Sequence, residues 1–395
     1  MSWGEEFPTT PARDEVVVAL DELLLHVVET GGSDLHLTKG APPMVRVRGE
    51  MEAVPGYAVL EHRPLQEALY AVMTGRQRKV LEEEKELDFA YAVPGQARFR
   101  VNVFWQRESI GAVMRLIPWE IKTLAELDLP AAVERFAHLK RGLVLVTGPT
   151  GSGKSTTLAA VIDQVNRTRR GHIMTIEDPI EFLHEHRGCV VNQREIGPDT
   201  HGFRTALKHV LRQDPDVILV GELRDLETIS VALTAAETGH LVLATLHTQS
   251  AQDTVSRVVD VFPAEQQQQV RTQMAATLQG VVCQNLISTA NGRSRVAAVE
   301  VMVCTSGIRA MIRDGKLQQI PGALQSGAAH GMQTMDAHLA QLVRDGRITR
   351  ATALEHCANA TDFLALVDST MRGGQGVHAE AAWSTTSVEP GAGVP

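Results

Sequence analysis

The sequence predicts an α/β protein, with a parallel-sheet domain in the later, larger part of the chain and a smaller α+β domain before it. Three observations carry that expectation. Four apolar runs, Leu143–Val146, Ile173–Ile176, Val217–Val220 and Leu241–Ala244, are separated by segments of helical spacing. Strands that alternate with helices imply a parallel sheet with right-handed crossovers. A glycine-rich loop follows the first run directly, and before residue 118 the rhythm changes to short alternating strands.

Taken in order, apolar residues at 17, 20, 24, 27 and 28 give Glu15–Glu29 helical spacing, which Gly31-Gly32 ends. Leu35–Leu37 and Val45–Val47 read as short strands around the Pro42-Pro43 turn. Pro64–Glu86 reads as one helical segment, its Glu82–Glu86 charge run a solvated face, and Ala97–Val103 and Gly111–Ile117 alternate as two further strands. The expected organisation is a flexible N-terminus over 1–13, a small domain over 14–118, a linker over 119–128 and the larger domain over 129–370. Within the last, Val281–Ile287 and Val296–Val303 should add strands, followed by helices to about Leu366. Residues 371–395 hold five Gly and two Pro with few large apolar side chains, so a disordered tail is expected there.

Composition narrows the class. At roughly 150 residues per domain, 395 residues suggest two or three domains. Hydrophobic content of 44% with 22% charged residues excludes a disordered chain, a collagen and a coiled-coil rod. Only 4% of residues are aromatic, so the cores must be aliphatic. A net charge of −9 argues against a dedicated nucleic-acid binder. Cys189, Cys283, Cys304 and Cys357 form no C-x-x-C pair and are expected as reduced, mostly buried thiols of a cytosolic protein. Met1–Arg13 lacks the pattern of a secretory signal, and no apolar run reaches the roughly 18 residues of a membrane span.

The strongest motif is Gly148-Pro149-Thr150-Gly151-Ser152-Gly153-Lys154-Ser155, continued by Thr156, which satisfies G-x-x-x-x-G-K-[ST] between a strand and a helix. Glycines let backbone N–H groups turn inward around phosphates, and the following helix points its positive end at the same anion. Lys154 should reach the β- and γ-phosphates of ATP, and the Ser155 hydroxyl should hold Mg²⁺. Val217–Val220 ends in Gly221-Glu222, and a carboxylate there can polarise an attacking water, so Glu222 is the candidate general base or water-positioner. Since Gly221 cannot serve the metal, the acids of Glu177-Asp178-Pro179-Ile180-Glu181 are its candidate partners; a solvated turn is the competing reading. His240 and His247 bracket the fourth apolar run, which would bring His247 to the carboxyl edge; a packed core histidine is the alternative.

These stretches together resemble the secretion and type IV pilus motor ATPases, a hexameric P-loop family, over about residues 20–367. Within it the chain is similar to the pilus-retraction branch. Gly31-Gly32-Ser33-Asp34-Leu35-His36-Leu37 with Pro42-Pro43 is like the opening of that branch's PAS-like domain, and the four-cysteine loop of many extension and secretion motors is absent. Gly307-Ile308-Arg309-Ala310-Met311-Ile312-Arg313-Asp314 resembles the retraction signature AIRNLIRE, with Gly307, Ala310, Met311 and Asp314 as replacements. Gly331-Met332-Gln333-Thr334-Met335-Asp336 fits as well. The resemblance implies a RecA-like P-loop ATPase domain preceded by a PAS-like domain, and a homohexamer driven by ATP and Mg²⁺. Glu222 then matches the catalytic acid, Glu181 the functional acid of the aspartate box, His240 and His247 the histidine-box pair, and Arg100 and Arg115 arginines that reach nucleotide phosphates. It further implies a cytoplasmic protein recruited to the inner face of the membrane by a pilus platform protein. An accessory retraction motor, an extension or type II secretion motor, and a nucleic-acid translocase are the alternatives.

Overall fold

The computed structural model describes residues 18–117 and 120–374. The expectations for a flexible segment over 1–13 and for the start of the first helix at Glu15 lie outside them. So do the linker's Trp119 and the expected tail from residue 375 onward.

The first part holds α1 (Leu20–Glu29), β1 (Asp34–Thr38), β2 (Met44–Val47), β3 (Glu50–Ala53), α2 (His62–Ala71), α3 (Gly75–Glu84), β4 (Glu86–Val93), β5 (Ala97–Gln106) and β6 (Ser109–Ile117). Its six strands form one antiparallel sheet in the order β3-β2-β1-β6-β5-β4. α1 buries Leu20, Leu23, Leu24 and Val27, and β5 alternates so that Phe99, Val101 and Val103 join them in the core. The single helix expected over Pro64–Glu86 is two. Thr74 accepts a hydrogen bond from the Gln77 N–H, and the Gln77 side chain accepts one from the Thr74 N–H, so this capping box starts a new helix.

The second part continues with α4 (Ala131–Phe136), β7 (Gly142–Thr147), α5 (Lys154–Thr168), β8 (His172–Glu177), β9 (Val190–Glu195), α6 (Phe203–Val210) and β10 (Val217–Val220). Then come α7 (Leu226–Glu237), β11 (Leu241–Leu246), α8 (Ala251–Asp260), α9 (Ala264–Thr277), β12 (Leu278–Ser288) and β13 (Arg295–Val303). It closes with α10 (Ser306–Arg313), α11 (Ile320–Ser326), α12 (Met335–Arg344), α13 (Arg350–His356) and α14 (Ala360–Gly374). α14 thus runs past the expected boundary at 370. The seven-stranded sheet has the order β13-β12-β7-β11-β10-β8-β9, parallel throughout except for the β12–β13 pair. Strands buried on both faces carry unbroken apolar runs. Leu143 and Leu145 face one core with α6–α9, whereas Val144 and Val146 face another with α4 and α5. β9, with its polar Val190–Glu195 sequence, had no apolar signal to announce it.

Among the described residues, one ion pair joins the two sheets: Arg98 on β5 donates to Glu195 at the end of β9 at 3.0 Å, both side chains largely buried. All four cysteines are free.

Tight packing of α4 onto β12 gives a test of the second core. A Cβ added at Gly280 would lie 2.2 Å from Phe136 Cζ and 2.9 Å from the Met302 carbonyl oxygen. Gly280→Ala should therefore lower stability by about 1–3 kcal/mol through overpacking. Calorimetry reads this as a lower Tm, and an unchanged Tm would mean that α4 slides aside freely.

Candidate active site

Four neighbouring strands, β7, β11, β10 and β8, run parallel and therefore end at one edge of the sheet. The phosphate loop leaves β7 at that edge. Gly148 has φ +140 and Gly153 φ +86, backbone that glycine adopts without strain. α5 begins at Lys154, and no acidic residue in its first turn offsets the positive end of its dipole. Lys154 is buried, and its ammonium donates to the Gly148 and Pro149 carbonyls at 2.9 and 3.0 Å. Burial lowers the Lys154 pKa, while the charges of Glu222 and Glu181 act in the opposite direction. Ser155 and Thr156 are half-buried on the same helical turn.

β10 delivers Glu222. The Gly221 N–H donates to the Ile176 carbonyl at 2.8 Å, the Thr245 hydroxyl donates to the Gly221 carbonyl, and the Leu223 N–H donates to the Thr245 carbonyl at 3.1 Å. These bonds tie the turn to β8 on one side and β11 on the other. A Cβ at Gly221 would lie 3.2 Å from the Ile176 carbonyl oxygen and 3.3 Å from Glu177 Cα, closer than ordinary van der Waals contact. Steric room alone therefore disfavours an aspartate there. The Glu222 carboxylate accepts from Arg224 at 2.8 Å and meets His247 Nε2 at 3.3 Å. Burial pushes its pKa up, but the hydrogen bonds and charges of Arg224 and His247 outweigh this and hold it below 4.5.

The acids after β8 separate. Glu177 turns inward, accepting from the Thr175 hydroxyl at 2.6 Å and from Gln193 at 3.2 Å, and burial raises its pKa. Asp178 and Glu181 are exposed. Ile180 donates its N–H to Glu195, the partner of Arg98, so the turn is anchored to the contact between the sheets.

Three candidates are not brought to this edge. His240 precedes β11, and its carbonyl accepts from the Gly142 N–H at the start of β7. A strand of that length spans about 20 Å at 3.3 Å per residue, so His240 sits at the opposite edge from His247. Its ring contacts the Ala235 carbonyl and the Thr238 hydroxyl, away from the edge where His247 meets Glu222. Arg100 and Arg115 are cross-strand neighbours on the open face of the first sheet, paired with Asp88 at 3.8 Å and Asp34 at 2.7 Å. Neither reaches the phosphate loop of its own chain through any contact among the described residues.

Sequence reasoning missed Arg224, whose signal was its position two residues beyond Glu222, and Gln284, which had none. A cleft of about 400 Å³ opens beside the loop, lined by Pro149, Thr150, Ser152, Gln249, Asn285 and His356. A larger one of about 590 Å³ lies away from these strand ends, on α2.

The fold and this edge define a P-loop ATPase of the RecA-like class. The chain belongs to the Type II/IV secretion system protein family, whose profile matches residues 12–359. It is 53% identical to the Type IV pilus retractation ATPase PilT of Pseudomonas aeruginosa over 87% of this chain and 99% of that protein. It is 43% identical to the Type IV pilus ATPase PilU of the same organism over 88% of this chain and 91% of that one. A crystal structure of the pilus retraction motor PilT with bound ADP superposes with a TM-score of 0.82 at 46% identity, covering 86% of this chain and 97% of that one.

Glu222 supplies the test of the site. Glu222→Gln should bind ATP but lose turnover, and Lys154→Ala should weaken both; normal turnover in Glu222→Gln removes the residue from the chemistry. Because the folded pKa of Glu222 is depressed, its pairing with Arg224 and His247 is intact above 4.5 and is lost only as pH falls through that lower value. ATP turnover should accordingly show no Glu222 limb near neutrality, and Arg224→Ala should move the acid limb to higher pH. A limb that stays put in Arg224→Ala would belong to another group.

Proposed function

We propose that this chain is a hexameric, Mg²⁺-dependent, ATP-hydrolysing motor that powers type IV pilus retraction and twitching motility. The observation that carries the reading is the meeting of Lys154, Glu222, Glu181 and His247 at one sheet edge, in a chain that matches a named retraction ATPase along nearly all of its length. The accessory-motor reading has less support, since identity to the Pseudomonas aeruginosa PilU is lower than to its PilT.

Phosphates bind along 148–156, and Lys154 exchanges the Gly148 and Pro149 carbonyls for β- and γ-phosphate oxygens. Among the described residues, no cluster of three or more His, Cys, Asp or Glu could hold a metal alone. Magnesium is usually held by one or two protein groups together with substrate phosphates, and Ser155 and the Glu181 side of the edge would supply those groups here. When bound there, the ion would supply charge neutralisation at the phosphates. Glu222 accepts a hydrogen bond from the attacking water and aims it at the γ-phosphate, while His247 and Arg224 fix the carboxylate. A depressed pKa makes Glu222 a weak base, which suffices because phosphoryl transfer depends mainly on positioning and electrostatics.

Residues 14–118 and 129–370 act as two domains about the 119–128 linker. Arg100 and Arg115 are exposed and make no contact with their own phosphate loop among the described residues, so in a ring they would reach the nucleotide of the adjoining subunit. No helix among the described residues is long and apolar enough to cross a membrane. The motor is cytoplasmic and meets the inner membrane through a pilus platform protein; it has no nucleic-acid partner.

On α10, Ile308 and Ile312 are buried. Arg309 donates to the Ala275 and Ala276 carbonyls at 2.7 and 3.1 Å and to the Gln279 side chain at 3.0 Å. Arg313 is exposed and pairs with Asp314 at 3.2 Å. The two arginines of the retraction segment therefore have separate roles, one structural and one free for the partner.

Assembly, catalysis and motility each supply a test of this function. ATPase activity per mole should vanish on dilution to monomers, and Arg100→Ala should lower kcat on the order of 10³-fold with the fold kept; constant specific activity through dissociation would mean that each chain completes its own site. Arg309→Ala should cost about 1–3 kcal/mol of stability by removing three hydrogen bonds from a charged donor, two of them part-buried. Arg313→Ala should keep the wild-type Tm and ATPase yet leave cells hyperpiliated and non-motile. Normal motility with Arg313→Ala would reduce the segment to structure.

A further inference from the structure

We infer that Gln284 is the positioning residue of the phosphate loop, clamping the loop to α5 and so setting nucleotide affinity. The inference rests on the nucleotide-site reading above. Gln284 lies on β12, next to β7 on the side away from Glu222. It is 3% exposed, and a buried amide needs partners at both ends. Its Nε2 donates to the Ser152 carbonyl at 2.7 Å, and its Oε1 accepts from the Thr157 hydroxyl at 2.8 Å. Ser152 precedes Lys154 and Thr157 follows it, so one side chain bridges both flanks of the phosphate-binding lysine. Both partners are themselves buried, which leaves water no way to replace either bond.

The position of the clamp follows from the ladder. The pairing of β12 with β7 ends at Cys283 and Thr147, one residue short of Gln284, and the amide takes over where the ladder stops. The main chain is equally close. A Cβ at Gly148 would lie 2.1 Å from the Gln284 carbonyl oxygen, and one at Gly153 would lie 2.8 Å from its Nε2. Two glycines of the motif thus serve contact with Gln284 as well as backbone conformation.

How the clamp acts is a matter of peptide geometry. The Ser152 carbonyl and the Gly153 N–H belong to one planar trans peptide and point in opposite directions. Holding that carbonyl against β12 aims the Gly153 N–H away from β12, where it is available to an anion. Without the clamp the peptide can rotate and present a carbonyl dipole to the phosphates. Gln284 touches no reacting atom, so it governs binding more than the chemical step.

The experiment uses the full chain and ADP. Gln284→Met, of similar length and apolar, should raise the ADP Kd and the ATP KM by about tenfold, as expected for stranded buried partners, with a smaller effect on kcat. Thr157→Val removes one of the two bonds from the other side and should move the same constants in the same direction. Gln284→Glu gives a readout that a merely structural role would not move. Ionised, it sets a carboxylate oxygen against the Ser152 carbonyl; protonated, it donates a hydrogen bond there as the amide does. Burial raises the pKa of such a carboxyl, so its ADP Kd relative to wild type should rise with pH and recover toward unity on acidification. Wild-type ADP affinity in Gln284→Met or Thr157→Val, or a pH-independent ratio in Gln284→Glu, overturns the inference. If Gln284→Met does not fold, the other two variants decide. Wild-type protein that binds no ADP would instead sink the nucleotide-site reading, and Lys154→Ala is the control that separates the two.

Discussion

An ammonium group held out of water at the end of a parallel strand is the constraint around which this molecule is arranged. Lys154 must stay charged to meet phosphate, yet burial disfavours the charge. A buried ion with no compensation costs several kcal/mol. Here the compensation comes from two loop carbonyls at 2.9 and 3.0 Å and, more weakly, from the fields of Glu222 and Glu181. Carbonyl dipoles hold the lysine without neutralising it, as a salt bridge would, so its full charge remains for an anion. The glycines of the loop serve its turn, since Gly148, Gly151 and Gly153 all have positive φ, backbone that residues with a Cβ rarely adopt.

Sheet order does the remaining assembly. Residues from 148 to 247 converge because four parallel strands in a row end at one edge, and ligands of open α/β sheets bind outside those carboxyl ends. The rule excludes as firmly as it includes. His240 begins the strand that His247 follows, so the two cannot serve one site within one chain. Arg100 and Arg115 stand on a different sheet, among acids of their own. A single chain thus brings the lysine, the acids, one histidine and Arg224 to this edge, and leaves Arg100 and Arg115 on the other sheet.

Much of this was legible in the sequence, and the limits were physical. β7, β8, β10 and β11 are buried on both faces, so their apolar runs were unbroken and easily seen. β9 is an edge strand whose polar residues make contacts that no local pattern encodes. The break between α2 and α3 was written in Thr74 and Gln77, but a capping box inside a long polar helical stretch is easily read through. The phosphate loop and Glu222 could be named because strand, turn and chemistry are contiguous there. Gln284 could not be, since it lies 132 residues from Ser152 and only the adjacency of β12 and β7 joins them.

The 307–314 segment shows the same division between what periodicity says and what packing adds. Helical spacing puts Ile308 and Ile312 on the inner face of α10 and sets Arg309 and Arg313 together on another. Periodicity treats the two arginines as equivalent, but their surroundings do not. Arg309 lies over the last turn of α9, where unpaired carbonyls and the negative end of the helix dipole favour a cation by about 0.3–1 kcal/mol. Its third bond, to Gln279, fastens α10 to the start of β12, the strand that presses against the phosphate loop further along. Arg313, one turn on, lies beside the first half of α9, where its carbonyl accepts from the Gln268 side chain at 3.2 Å, and its guanidinium pairs with Asp314, a pairing too exposed to contribute much. An exposed cation on a helix whose other arginine is bonded to α9 and β12 is held in place by that packing, along with the buried Ile308 and Ile312.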